Sequence, residues 1–93
     1  MLNINSSNDL EEIIKHNNIM LIKFDNNNSK YDEYFNTLND FKLVNITTTE
    51  IIEFYDIEVL PTICIYKNKN LIFSIEGYYS KSILLKKINE ILN

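Results

Sequence analysis

Tyr55-Asp56-Ile57-Glu58-Val59-Leu60-Pro61-Thr62-Ile63-Cys64-Ile65-Tyr66 holds the one proline in the chain. The residues before it form an amphipathic segment, and those after it an apolar run rich in β-branched side chains. Proline lacks a backbone N–H, so it suits the first residue of a strand and not its middle. An X-Pro bond at a tight strand entry is a candidate cis peptide, because the tertiary amide makes the cis form accessible. Pro61 therefore marks where a helix and its loop end and a buried strand begins.

Upstream, Ser6-Ser7-Asn8-Asp9 is a helix-start cluster in which Ser7 is the expected cap. Asp9, Glu11 and Glu12 suit the positive end of the helix dipole, and Leu10, Ile13 and Ile14 form a stripe at helical spacing. Asn17-Asn18 ends that helix, and Asn3-Ile4-Asn5 before it reads as a brief edge strand. Ile19-Met20-Leu21-Ile22-Lys23-Phe24 is nearly continuous in apolar residues, as expected of a strand buried on both faces. Asp25 to Ser29 is loop chemistry. Tyr31, Tyr34, Phe35 and Leu38 recur at helical spacing, and Phe41 to Ile46 alternates as a strand. A short helix carries Ile51, Ile52, Phe54 and Tyr55. Downstream of Pro61, strands Thr62 to Tyr66 and Leu71 to Glu76 are joined by the hairpin loop Lys67-Asn68-Lys69-Asn70. Gly77, the one glycine, ends the hairpin. Ser80 can cap a last helix with the stripe Leu84, Ile88, Ile91 and Leu92.

The order is βαβαβαββα. Right-handed crossovers make the first three strands parallel, and a tight hairpin makes the last two antiparallel. The expected fold is α/β: one domain spanning 1–93, with a central mixed sheet and helices on both faces. This arrangement, with Tyr55-x-Ile57, Leu60-Pro61-Thr62 and Gly77 further on, resembles the thioredoxin family along essentially the whole chain. The resemblance implies a cis-proline after Leu60.

It also implies where redox chemistry would lie. Thioredoxins carry Trp-Cys-x-x-Cys at the start of the second helix. There the helix dipole lowers the thiol pKa, and a second cysteine resolves the mixed disulfide. Counting from Phe24, Ser29 and Asp32 stand at the two cysteine positions. A hydroxyl that is not ionised at neutral pH cannot exchange with a disulfide, and an aspartate cannot resolve one. Ser29 reads as a helix cap paired with Asp32. The family's buried acid just before the aromatic is Lys23 here. Its reading is a stem packed on apolar neighbours with the amine at the surface. Cys64, in mid-strand among isoleucines, reads as a small buried hydrophobe. His16 ends the first helix and has no reason to face Ser29. No catalytic residue, metal-ligand spacing or glycine-rich phosphate loop emerges, and no cofactor or metal is expected.

The chain has 93 residues, of which 45% are hydrophobic and 12% aromatic, enough for one core. Net charge is −4 with no basic face, which argues against a nucleic-acid partner. No apolar run approaches a membrane span, and the first residues lack the regions of a signal peptide. One cysteine excludes an internal disulfide and suggests a reducing, cytoplasmic setting. The leading functional reading is a thioredoxin-like domain without dithiol activity. It would bind a protein or extended peptide through the groove around the cis-proline, by β-augmentation. The resemblance places that groove at Asn28, Ser29, Leu60, Pro61, Gly77 and Tyr78, with Tyr31 and Tyr79 as further candidate contacts. The alternative is a thiol-disulfide redox protein using Cys64 alone or a partner's cysteine. A homodimer with a self-occupied groove is a third reading.

Overall fold

The computed structural model describes residues 2–4, 6–26, 31–35 and 41–92, without the side chains of Leu2, Asn3, Asp32 and Phe35. The elements run β1 (Leu2–Asn3), α1 (Ser7–Lys15), β2 (Ile19–Phe24), α2 (Tyr31–Phe35), β3 (Lys42–Ile46), α3 (Thr49–Phe54), β4 (Thr62–Lys67), β5 (Asn70–Glu76) and α4 (Lys81–Leu92). One five-stranded sheet has the order β1-β3-β2-β4-β5. β3 is parallel to both β1 and β2. β4 runs antiparallel to β2, and β5 antiparallel to β4.

β2 sits in the middle, and Met20 to Phe24 are all buried. Because side chains alternate across a strand, its residues feed two cores. Met20, Ile22 and Phe24 join Leu10, Val44, Ile46 and Ile51 under α1 and α3. Leu21 joins Tyr31, Ile63, Ile65, Ile75, Leu84 and Ile88 under α2 and α4. Apolar burial on this scale is what balances the entropy of ordering a small chain.

Local chemistry sets the boundaries. Ser6, not Ser7, is the cap residue of α1; its backbone is extended and its side chain makes no capping bond. Its carbonyl accepts the Leu10 N–H, so the helix starts one residue earlier than the serine pair suggested. The β4–β5 hairpin turns through Asn68 and Lys69, both with positive φ (52° and 74°). That two-residue turn matches the twist of the flanking strands. The Leu60–Pro61 peptide is cis, and the Thr62 hydroxyl donates to the Val59 carbonyl at 2.5 Å, closing the loop that enters β4. The expected Leu38 end of the second helix lies outside the described residues. The short first strand is Leu2–Asn3, so Ile4 lies past its end, and the expected Asn5 lies outside the described residues.

Burial predicts where substitution matters. Ile63 is fully buried, so Ile63→Ala should destabilise the chain by roughly 2–5 kcal/mol. Phe54 is 61% exposed, and Phe54→Ala should shift stability by only about 0.5 kcal/mol. Urea unfolding of the two variants checks the contrast.

Candidate functional site

Four of the expected groove residues fall on two adjoining loops. Leu60 and Pro61 enter β4, while Gly77 and Tyr78 leave β5. The Gly77 N–H donates to the Pro61 carbonyl at 2.8 Å, which ties the loops together. Gly77 has φ 85°, a conformation that strains any other residue. Leu60 is half-buried, Pro61 is buried and Tyr78 is 51% exposed. Asn28 and Ser29 lie outside the described residues. The side chain of Asp32, in the first turn of α2, is not described.

Tyr31, the first residue of α2, joins this rim from beneath. It is fully buried, and its hydroxyl donates to the Gly77 carbonyl at 2.9 Å. The same hydroxyl accepts the Tyr79 N–H. Its ring lies 5.1 Å from that of Tyr78 and 5.6 Å from that of Tyr34. One phenol thus fixes the start of α2, the Gly77 loop and the inner side of Tyr78. Burial holds the Tyr31 phenol above its ordinary pKa. Of the three tyrosines considered as contacts, Tyr31 is core and Tyr79 packs against it, with the Lys87 ammonium 5.1 Å from its ring centre. Tyr78 alone of these is exposed.

Lys23 departs from the expectation. Its side chain is 1% exposed, so the amine does not reach the surface. The reason lies two residues on. Lys23 and Asp25 alternate onto the same side of the chain, and Asp25 is equally buried. The Asp25 Oδ2 lies 4.0 Å from the Lys23 Nζ, and its Oδ1 accepts the Asn26 N–H at 2.7 Å. The Asp25 N–H in turn donates to the Ile46 carbonyl, extending β2 past its last residue. Read as loop, Asp25 concealed a buried countercharge. The signal was present as a charge two residues from a lysine within an apolar strand.

Cys64 faces the opposite layer. It belongs to the core under α1 and α3, is 4% exposed, and its Sγ lies 3.7 Å from the Ser74 Oγ. Burial pushes the thiol pKa up, against a smaller lowering by Ser74. Cys64 lies at a cleft of about 220 Å³ that Tyr55, Ile57, Tyr66, Leu71 and Glu76 also line. Residues scattered from 55 to 76 form this cleft, so no local motif announced it. Burial also raises Tyr66, to about 12. His16 is exposed, 3.4 Å from Glu12 on α1, and so stands on the other side of the sheet from Tyr31.

Comparison with solved structures decides the architecture. A designed protein aligns with TM-score 0.79 and 24% identity, covering 99% of this chain and 92% of that one. A thioredoxin from Plasmodium falciparum aligns with TM-score 0.81 and 20% identity, over 97% of this chain and 98% of that one. A thioredoxin from Trypanosoma brucei brucei aligns with TM-score 0.82 and 14% identity, over 99% and 90%. This chain has the thioredoxin fold. No protein-family model matches it, and no curated protein matches it in sequence. Within the thioredoxin fold, the Pro61 and Gly77 loops adjoin the N-terminal end of α2, and the Lys23–Asp25 pair lies in the same layer as Tyr31. With one cysteine in the sequence, a Cys-x-x-Cys pair is absent.

Two measurements probe these side chains. Asp25→Ala should cost roughly 3–5 kcal/mol, since it takes the Asp25 carboxylate away from a buried ammonium. Replacing both partners, by Lys23→Met with Asp25→Leu, should recover most of that loss in denaturant titrations. The second concerns alkaline pH. The Tyr66 phenol is raised from 10.0 to about 12 in the folded chain, so its contribution is complete below pH 10. It is lost as pH rises toward 12, because the unfolded chain ionises first. Tyr66→Phe should flatten that alkaline fall in the unfolding midpoint.

Proposed function

We propose that this thioredoxin-like domain binds an extended protein segment at the Leu60–Pro61 rim and does not perform dithiol redox chemistry. The observation that carries the reading is the backbone of Leu60. Its N–H and C=O make no backbone hydrogen bond among the described residues. They stand beside Pro61, where an incoming strand can pair with them. β-Augmentation needs only such unpaired groups and pockets for alternate side chains. Tyr78 supplies an exposed aromatic next to this edge, and aromatics are enriched where binding energy concentrates. The Gly77–Pro61 and Tyr31–Gly77 bonds hold the rim in shape before a partner arrives, which lowers the ordering cost of binding. Asn28 and Ser29 complete the groove by resemblance.

The absence of redox activity rests on the side chains. By the resemblance, Ser29 and Asp32 stand where two thiols would be, and Cys64 is buried in the other layer with its thiol pKa raised. A reactive thiol needs an open, electropositive setting. The single-thiol reading therefore gains nothing from Cys64. A lone cysteine held as a thiol suits a reducing, cytoplasmic setting.

The test is a screen of immobilised extended peptides against the wild-type chain and three variants. Tyr78→Ala should weaken the selected peptide by more than about 1 kcal/mol. Ser29→Arg should block it more strongly, and Lys81→Ala should leave it unchanged. Amide shifts on binding should centre on Leu60, Gly77 and Tyr78. Loss of binding through Lys81→Ala with Tyr78→Ala silent would place the partner elsewhere. Insulin reduction above background, abolished by Cys64→Ser, would overturn the redox part.

A further inference from the structure

We propose that β5 is the interface of a homodimer, formed by antiparallel pairing of its outer edge with the β5 of a second copy. Among the described residues the sheet ends at β5, and the edge of β5 away from β4 pairs with none of them, which leaves its outward backbone groups open. Three consecutive apolar residues lie on this edge strand: Leu71 at 52%, Ile72 at 39% and Phe73 at 49% exposure. An uncovered edge with that composition is a template for another strand.

The irregularity in β5 selects the register. Ile65 pairs with Phe73 but Tyr66 pairs with Leu71, so Ile72 is an extra residue. Ile72 and Phe73 together occupy one rung of the ladder. Leu71, Ser74 and Glu76 therefore lie on the face of Tyr66, Cys64 and Thr62, and Asn70 and Ile75 on the face of Lys67 and Ile63. Residues directly opposite in an antiparallel pair must share a face. Two copies of β5 meet that condition along the strand when Leu71 of each faces Ser74 of the other. The Ile72–Phe73 rung then faces its own equivalent at the two-fold axis. Asn70 lies opposite Ile75, and Lys69, in the turn just before β5, comes to the end of the joint where Glu76 of the other copy lies. A slip by one residue sets Leu71 against Ile75, on opposite faces.

Charge supports the same register. Glu76 lies on the cleft that Asp56 and Glu58 also line, and no lysine lines it. Lys69 makes no ion pair among the described residues. Self-pairing brings one lysine of each copy beside the acidic cleft of the other, at both ends of the joint. The interface has an apolar centre and a charged rim, as recognition surfaces commonly do. It is isologous, so it closes at two copies. At the far side of the sheet β1 has two residues, too short an edge to propagate a fibre. A single strand pair is a small interface, so the dimer should be concentration-dependent.

Sedimentation equilibrium over a concentration series up to the solubility limit tests this on the full chain. The mass should rise from one chain to two. Phe73→Lys should hold the chain monomeric, with its far-ultraviolet dichroism unchanged. Lys69→Glu and Glu76→Lys should each weaken association about tenfold, the equivalent of ~1.4 kcal/mol. The double variant should restore it, a rescue that general misfolding cannot produce. Phe54→Lys, on α3, should dimerise as the wild type does. A chain that stays monomeric throughout overturns the proposal. So does a dimer that survives Phe73→Lys, one that Phe54→Lys abolishes, or a double charge swap that fails to rescue.

Discussion

β2 has no exposed face among its last five residues, and this constraint shapes the rest of the molecule. A strand buried on both sides needs a layer of helices above and below. It also needs a strand on each edge, since its backbone groups have no water to pair with. β3 and β4 supply the edges, while α1 with α3 and α2 with α4 supply the layers. The same constraint leaves the Lys23 ammonium no route to solvent. A buried charge is tolerated when a countercharge accompanies it, and Asp25 meets that requirement from just past the end of the strand.

The Tyr31 hydroxyl works in a comparable way at the site. It satisfies a carbonyl and an N–H on the Gly77 loop with one atom, joining α2 to the chain that leaves β5. The Gly77 N–H reaches back to Pro61. A helix start, a strand entry and a strand exit are thereby held as one unit. In the neighbouring layer Cys64 sits in apolar surroundings that favour its thiol over its thiolate. The rim and the thiol thus lie in different parts of the molecule.

The two ends of the sheet differ in kind. β1 is a minimal edge beside β3, and β5 is a long apolar edge beside β4. The cleft at β4 and β5 gathers exposed carboxylates beside phenols, and the burial of Tyr66 itself shifts its ionisation far into the alkaline range. This part of the sheet therefore combines a cleft, a bulge and a strand whose outer edge pairs with none of the described residues, all within one hairpin.

Sequence alone determined the element order, the parallel and antiparallel connections and the position of Pro61. These follow from local periodicity, turn chemistry and the missing proline N–H, which act over a few residues. It also determined that two thiols are lacking, because that requires only counting. Tertiary structure decided the rest. Whether Lys23 reaches water depends on layers built from residues far along the chain. The bridge from Tyr31 to Gly77 and Tyr79 spans nearly half the sequence, so helical spacing could report only that Tyr31 lies on an apolar stripe. The extra residue at Ile72 arises where β5 meets β4, and neither strand displays it alone. Each of these depends on contacts between distant segments, and periodicity within one segment carries no information about them.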